Sequence, residues 1–451
     1  MSGKIPTNLG SPQSFLRIRW GFLFSAFSYS LLFAQQPLVS LSFSEGDLAE
    51  NKATIASEEA VYKVDLMRQH FARGLTDYAL DLSEYAAYRR PWVLDSALAN
   101  HIETDGSFSV QVWVKTLPEA EQGTPIIGNK TSGEDEGTGW QIITQENGAW
   151  GISLSDGTHQ IFYRPTKQQR INDGQWHQIV LSIERPKNES RMYFDGKAVA
   201  IYNLGHLGDV SSSFRTIIGG ADEYFDWGSA GQWTAFNGYL DEVKIWNRSL
   251  SAQEVHTLWM DFFPESGSMD SEPSPQQLKV LVWNIWHGGR RYGQKVGVKR
   301  TIEILQKERA DIVCLIETYG SGEKIADALG YELYLISSNL SILSRFPIEE
   351  TIETFRPFNF GAAVVRLSPT TRLLVCDTWL HYLPDYLGSV GADTATAAKP
   401  WPRLDSQTAI GSCISIRLPI QAIPGRHEQR PPLPNTGFGT GLIIFIIKGM
   451  P

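Results

Sequence analysis

Cysteine is scarce in this chain. Its 451 residues hold three, Cys314, Cys376 and Cys413, so at most one intramolecular disulfide can form and the fold must rest on its apolar cores. None of the Cys or His spacings is of the zinc-binding kind. Positive charge is in deficit too: 40 Lys and Arg stand against 49 Asp and Glu, a net charge of −9. That excludes a surface built to coat nucleic acid; binding to DNA would need a local basic patch. Long apolar runs are missing. The N-terminal run from Trp20 to Phe33 is too short and too rich in Ser to span a bilayer. Arg17 and Arg19 precede it, and Ala34 ends it before Gln35-Gln36-Pro37. A basic start, an apolar middle and a small residue predict a signal peptide over 1–34, with no stable membrane span beyond it. The mature chain is then expected to be secreted, periplasmic or at the cell surface.

What is present is length for two or three domains and two different textures. After a polar lead-in at 38–60, short alternating strands separated by turn residues begin near His70. Ser107 to Thr116 alternates with period 2, so Phe108, Val110, Val112 and Val114 point to one face. Gly151–Ser155 and Gln160–Tyr163 flank the turn pair Asp156-Gly157. His177–Ile183, Arg191–Phe194 and Gly238–Trp246 follow. Many short strands at regular spacing predict an all-β sandwich.

Phe108-Ser-Val-Gln-Val-Trp113, Gly174-Gln-Trp-His177, Tyr193-Phe-Asp-Gly196, Gly238 to Asn247 and Leu250-Ser-Ala-Gln-Glu254 carry a resemblance to the laminin-G-like, concanavalin-type jelly roll. The resemblance implies a domain over 60–262 that binds carbohydrate or a surface, and it assigns no carbohydrate-binding residue. Its complete set of strands predicts that it folds alone. Trp176-His177 is expected to be structural, packed at a strand start. Asp195-Gly196 reads as a turn. The acidic loop Glu134-Asp135-Glu136 reads as solvated, with Ca²⁺ binding the weaker alternative.

Residues 263–277 are rich in Ser, Pro, Asp and Glu and predict a linker. Beyond it, Lys279 to Thr318 reads strand–helix–strand, with Val298, Ile302 and Leu305 at helical spacing between two apolar runs. Asn284 ends the first strand and Glu317 the second. A carboxamide and a carboxylate at neighbouring strand ends are hard oxygen ligands that can converge on Mg²⁺. Together they resemble the opening of the endonuclease/exonuclease/phosphatase family, over 278–390. Leu340 to Ile348 resembles that family's strand ending in Ser-Arg-x-Pro, and Thr378-Trp-Leu-His-Tyr-Leu-Pro384 resembles the segment carrying a general-acid His.

The expected architecture is therefore multidomain: an all-β jelly-roll sandwich, then an incomplete α+β (αββα sandwich) domain. The resemblance implies metal-assisted phosphoester hydrolysis, with Mg²⁺ held by Glu317 and Asn284, Asn284 counted among the catalytic groups, and His381 as general acid. Nucleic acid, phospholipid and small phosphoesters are all open as substrate.

The family's Gly-Asp-x-Asn motif and late Asp-His pair are absent from this chain. The strands before 390 predict about one sheet of such a sandwich, leaving 391–451 as an atypical tail. Leu433-Pro-Asn-Thr-Gly437 has the letters of a sortase signal, but the apolar run behind it is short and lacks a basic tail. Codons for Gly425 to Arg430, read one base later, permit Gly-Asp-Met-Asn-Ser-Gly, which predicts a shift of reading frame between Tyr386 and Gly425. Three functions compete: a secreted phosphoesterase with a binding module, a glycan-binding or adhesion protein with a degenerate phosphoesterase domain, and a jelly-roll glycosidase. The last needs two facing carboxylates, and no Glu-x-Asp-x-x-Glu strand appears.

Overall fold

The computed structural model describes residues 36–43, 51–55, 58–62, 71–83, 92–94, 106–116, 123–130, 137–220, 236–266, 275–379, 412–417 and 440–448, apart from positions 213, 276, 292, 353 and 355. The predicted signal segment, the acidic loop at 134–136 and His381 lie outside the described residues.

The first domain is a sandwich of two antiparallel sheets. Its main-sheet strands are β1 (Val39–Leu41), β2 (Phe108–Thr116), β7 (His177–Glu184), β8 (Glu189–Phe194), β9 (Lys197–Asn203) and β10 (Gly238–Trp246). The facing sheet contains β3 (Pro125–Gly128), β4 (Gly139–Thr144), β5 (Trp150–Ser155) and β6 (Gln160–Tyr163). Alternation sends Phe108, Val110, Val112 and Val114 inward as expected, against Trp140, Ile142, Trp150, Ile152 and Leu154, all buried.

The opposite face of β2 is buried as well, which period 2 alone does not predict. Helix α1 (Ala252–Met260), opened by a reciprocal Ser251–Glu254 capping box, lies over it. Trp113 stacks on Trp259 at 5.1 Å and on Phe263 at 5.7 Å, so the first residue of the expected linker packs with the jelly roll. Gly196 is required here. Its φ is +73°, and a Cβ on it would meet Trp259 at 2.7 Å. Asp195, with φ 51°, completes the predicted turn.

The second domain contains β11 (Gln277–Asn284), α2 (Gln294–Glu308), β12 (Ile312–Ile316), α3 (Gly322–Leu329), β13 (Glu332–Leu335), β14 (Leu340–Ser344), β15 (Ile348–Ile352), β16 (Phe360–Ser368) and β17 (Thr371–Trp379). β11 and β12 are parallel, joined by the α2 crossover, and β14 runs antiparallel to both β12 and β13. Val313 and Leu315 of β12 join a core with Leu305 and Ile325 of the helices. Ile312, Cys314 and Ile316 pack instead against Val365, Leu373 and Val375 of the second sheet, β15–β16–β17. Cys314 and Cys376 are buried free thiols.

The tail differs from expectation in its backbone pairing. β18 (Ser412–Arg417) pairs antiparallel with β11, and β19 (Thr440–Lys448) pairs with the whole of β17, Thr371 opposite Lys448 and Trp379 opposite Thr440. A β-rich run such as Leu-Ile-Ile-Phe-Ile-Ile satisfies an open sheet edge. Residues before 380 thus supply strands to two sheets, and the tail adds one to each.

The two domains share one sheet. β9 pairs in parallel with β13, giving a continuous order β18–β11–β12–β14–β13–β9–β8–β7–β2–β10–β1. Between the domains lies a cleft of about 1000 Å³, whose lining includes the charged residues Arg191, Glu332, Arg345, Glu349, Arg366 and Arg372.

Candidate functional site

Asn284 and Glu317 come together as the sequence predicts. They end the parallel strands β11 and β12, whose register places Asn284 opposite Ile316. The Asn284 carboxamide donates from Nδ2 to Glu317 Oε1 at 3.0 Å, and the His287 backbone N–H donates to Oε2 at 3.0 Å. Asn284 Oδ1 accepts the Trp286 N–H at 3.0 Å. Both carboxylate oxygens are thereby oriented, and the pair stays partly exposed at the sheet edge.

The backbone around them is held in an unusual conformation. Trp286, His287, Glu317 and Tyr319 have φ of 54°, 51°, 59° and 36°. A left-handed conformation at such a residue costs on the order of 1–3 kcal/mol. Neighbouring bonds hold it: Gly288 N–H donates to the Glu317 carbonyl at 2.7 Å, and a Cβ on Gly288 would sit 2.7 Å from the Thr318 carbonyl. His287 and Tyr319 stack with centroids 6.2 Å apart.

Sequence reasoning missed Asn339. It is fully buried, and its Oδ1 accepts the Glu317 N–H at 3.2 Å while its Nδ2 donates to the Phe358 carbonyl at 2.8 Å. Its own carbonyl takes the Thr318 N–H at 3.0 Å. One carboxamide therefore ties the Glu317 loop to the loop ahead of β16. The signal was an Asn directly before a buried apolar strand, which by itself says only turn.

Asp377 was also missed. It lies fully buried in β17, and burial pushes its carboxyl well above the ordinary carboxylate range. Among the described residues no side chain bonds either oxygen; only the Thr378 N–H leans toward it.

His381, beyond Trp379, is outside the described residues and is not placed against Glu317. Among the described residues no group of three or more His, Cys, Asp or Glu gathers as a metal site, which leaves Glu317 as the single carboxylate with Asn284 beside it. Magnesium keeps several waters and takes few protein ligands, so the Glu317 carboxylate oxygens, oriented by the Asn284 amide, fit such a hard cation. The interdomain cleft is a separate place. Its second-domain wall includes Arg345 to Ile348, which follow β14 at the end away from Glu317.

In the jelly roll, both ring nitrogens of His177 lie at hydrogen-bond distance from carboxylates, Nδ1 at 2.9 Å from Asp195 and Nε2 at 3.1 Å from Asp173. Its ring stacks on Phe194 at 5.0 Å. No sugar-facing role is built here; both nitrogens are occupied in fixing two turns.

Comparison with known proteins agrees with this division. Residues 95–256 match the Concanavalin A-like lectin/glucanases superfamily, and residues 281–436 match the Endonuclease/Exonuclease/phosphatase family. The chain thus carries a concanavalin A-like domain followed by an endonuclease/exonuclease/phosphatase domain. Among curated proteins it is similar to the non-toxic nonhemagglutinins of Clostridium botulinum. It is 22% identical to type E over 161 residues, 35% of this chain, and 24% identical to type A over 166 residues, 37% of this chain. The matched part is 12% of either relative's length. Among solved structures it is similar to the binding domain of Paraclostridial Mosquitocidal Protein 1, at TM-score 0.37 and 14% identity, covering 51% of this chain and 53% of that one. It is also similar to domain 4 of the extracellular GH43 arabinanase AbnA from Geobacillus stearothermophilus, at TM-score 0.34 and 16% identity, covering 49% of this chain and 98% of that one.

Proposed function

We propose that this chain is an exported, metal-dependent phosphoesterase whose jelly-roll domain binds glycan. The observation that carries the reading is the Glu317 carboxylate, oriented through both oxygens by Asn284 and the His287 N–H on a strained strand end. Glu317, with Asn284 beside it, would hold Mg²⁺. The bound ion would stabilise charge on the phosphoryl oxygens. Asn284 keeps the carboxylate in register, and the buried Asn339 keeps the loop from relaxing. His381, by the family resemblance, is the proton donor to the leaving oxygen, a task suited to an imidazole near neutral pH. The lectin/glucanase family match supports glycan as the jelly roll's ligand.

A second reading is favoured by one specific observation: the sequence lacks the family's Gly-Asp-x-Asn and Asp-His motifs. On that reading the protein binds glycan and its phosphoesterase domain is degenerate. One experiment separates them. The full chain is assayed against a chromogenic phosphodiester, a phosphomonoester and supercoiled DNA, with Mg²⁺ and with chelator, and is applied to a glycan array. Mg²⁺-dependent turnover supports the first reading. Glycan binding with no turnover on any substrate supports the second. Failure of both assays overturns both readings.

A further inference from the structure

We propose that the jelly roll is a fixed wing of the phosphoesterase sheet and not a module on a tether, so that the two domains open together and the jelly-roll loop after β9 forms a second wall beside Glu317. Three sets of contacts carry this. The first is strand pairing: Ala200, Ile201 and Tyr202 of β9 lie in parallel register with Leu333, Tyr334 and Leu335 of β13. Each strand would otherwise be a bare edge, and pairing removes both edges at once.

The second set is a clasp on the helix side. Asp327 of α3 accepts the Thr166 N–H at 2.9 Å, the Thr166 hydroxyl, and the Gln169 carboxamide at 2.9 Å. The third lies on the opposite face. Arg191 donates to the carbonyls of Ile348 at 2.9 Å and Glu349 at 3.1 Å, while Thr351 donates its hydroxyl to Glu189. Clasps on both faces of one strand pair resist hinging in either direction. Their donors and acceptors are mostly half-buried or buried, where leaving one unpaired is costly.

Direction follows from the same pairings. β9 is parallel to β13, β13 is antiparallel to β14, and β14 is antiparallel to β12. The C-terminal ends of β9, β12 and β11 therefore face one edge. Three strand spacings separate β9 from β12, about 14 Å. The loop from Asn203 to Asp209 thus stands on the edge that carries Asn284 and Glu317. Tyr202 reaches across this edge and donates to Glu323, in the first turn of the helix that follows the Glu317 loop. A ligand longer than a single phosphoester group would touch both domains at once.

Hydrogen-exchange mass spectrometry on the full-length chain tests this without metal or substrate, and so independently of the proposed activity. Amides of β9 and β13 are expected to exchange as slowly as those of the interior strands β7 and β12. Heating or denaturant is expected to give one transition by both near- and far-ultraviolet circular dichroism. The paired change Arg191→Ala with Asp327→Ala is expected to speed exchange in β9 and β13 at least tenfold while leaving β4 and β5 unchanged. If that variant does not fold, Tyr202→Phe removes one hydroxyl and is expected to speed exchange at Thr318–Ser321 severalfold. Edge-like fast exchange of either strand in the unaltered chain, or two separate transitions, overturns the proposal.

Discussion

The jelly roll and the Glu317 edge use left-handed backbone for different ends. In the jelly roll the positive-φ residues lie apart from one another: Asn188 and the Asp195-Gly196 pair at turns, where such residues carry little strain, and Phe43 and Glu242 with φ of 52° and 47°. At the Glu317 edge, Trp286, His287, Glu317 and Tyr319 account for four of the nine positive-φ residues other than glycine among those described. None is a turn former. The first region spreads its positive-φ residues along the chain and is closed by aromatics on both faces of β2. The second is strained and held by hydrogen bonds around one partly exposed carboxylate. Strain of that kind persists only where the surroundings over-determine it, and it clusters at sites that bind or react.

The comparison breaks first at Glu317. Replacing it with Ala removes the carboxylate oriented by Asn284 and, on the proposed function, is expected to lower any Mg²⁺-dependent hydrolysis about a thousandfold or more, equivalent to roughly 4 kcal/mol of transition-state stabilisation. The unfolding midpoint should move little. Wild-type turnover in the variant would place the site elsewhere. Trp113→Ala acts in the opposite way. Trp113 is fully buried against Trp259, Phe262 and Phe263, and its loss should cost roughly 3–4 kcal/mol of stability in denaturant titration. A loss under about 1 kcal/mol would mean that the aromatic lid does not hold the outer face.

How much of this was legible in the residues differs between the regions. Period-2 alternation fixed the inward set Phe108, Val110, Val112 and Val114. The pairing of Asn284 with Glu317 followed from two strand ends of a crossover unit. The burial of Trp113 did not follow, because its cover comes from residues 146 and more positions away in sequence. Asn339 carries no local signature; its importance comes from a tertiary bond to Glu317. Residues 440–448 read only as a short apolar run, and neither their strand form nor their partner β17 could be read from spacing. The interdomain pairing of β9 with β13 was hidden for the same reason: edge strands look alike until something is laid beside them.

Asp377 sharpens the comparison from the second domain's interior. Burial raises its carboxyl far above the unfolded value of about 4. The native state therefore binds the proton more tightly than the unfolded chain does, so stability falls as pH rises above about 4 and continues to fall until the folded value is passed. Asn in its place cannot ionise and keeps the shape. Asp377→Asn is expected to stabilise the protein by about 1–3 kcal/mol at neutral pH, with the gain shrinking toward pH 4. Equal stability of both proteins at pH 4 and pH 8 would show that Asp377 has a cationic or donor partner.

The smallest effect is expected at His177, where the jelly roll holds a charge of its own. Burial alone would pull the imidazole's pKa down. Bonds to Asp195 and Asp173 outweigh it, and the net shift is upward from 6.5. A His raised in the folded state contributes stability that is fully present below the unfolded pKa of about 6.5 and is lost as pH rises through the folded value. His177→Gln keeps some packing on Phe194 and removes the charge. It should cost about 1 kcal/mol at pH 6, and the cost should shrink in alkaline solution as the wild-type ring deprotonates. The measurement is the denaturant midpoint of both proteins from pH 5 to pH 9. A gap that stays constant over that range would mean that His177 holds its two turns as a neutral ring, through packing and a single hydrogen bond; a gap that widens with pH would reverse the sign of the coupling to Asp195 and Asp173.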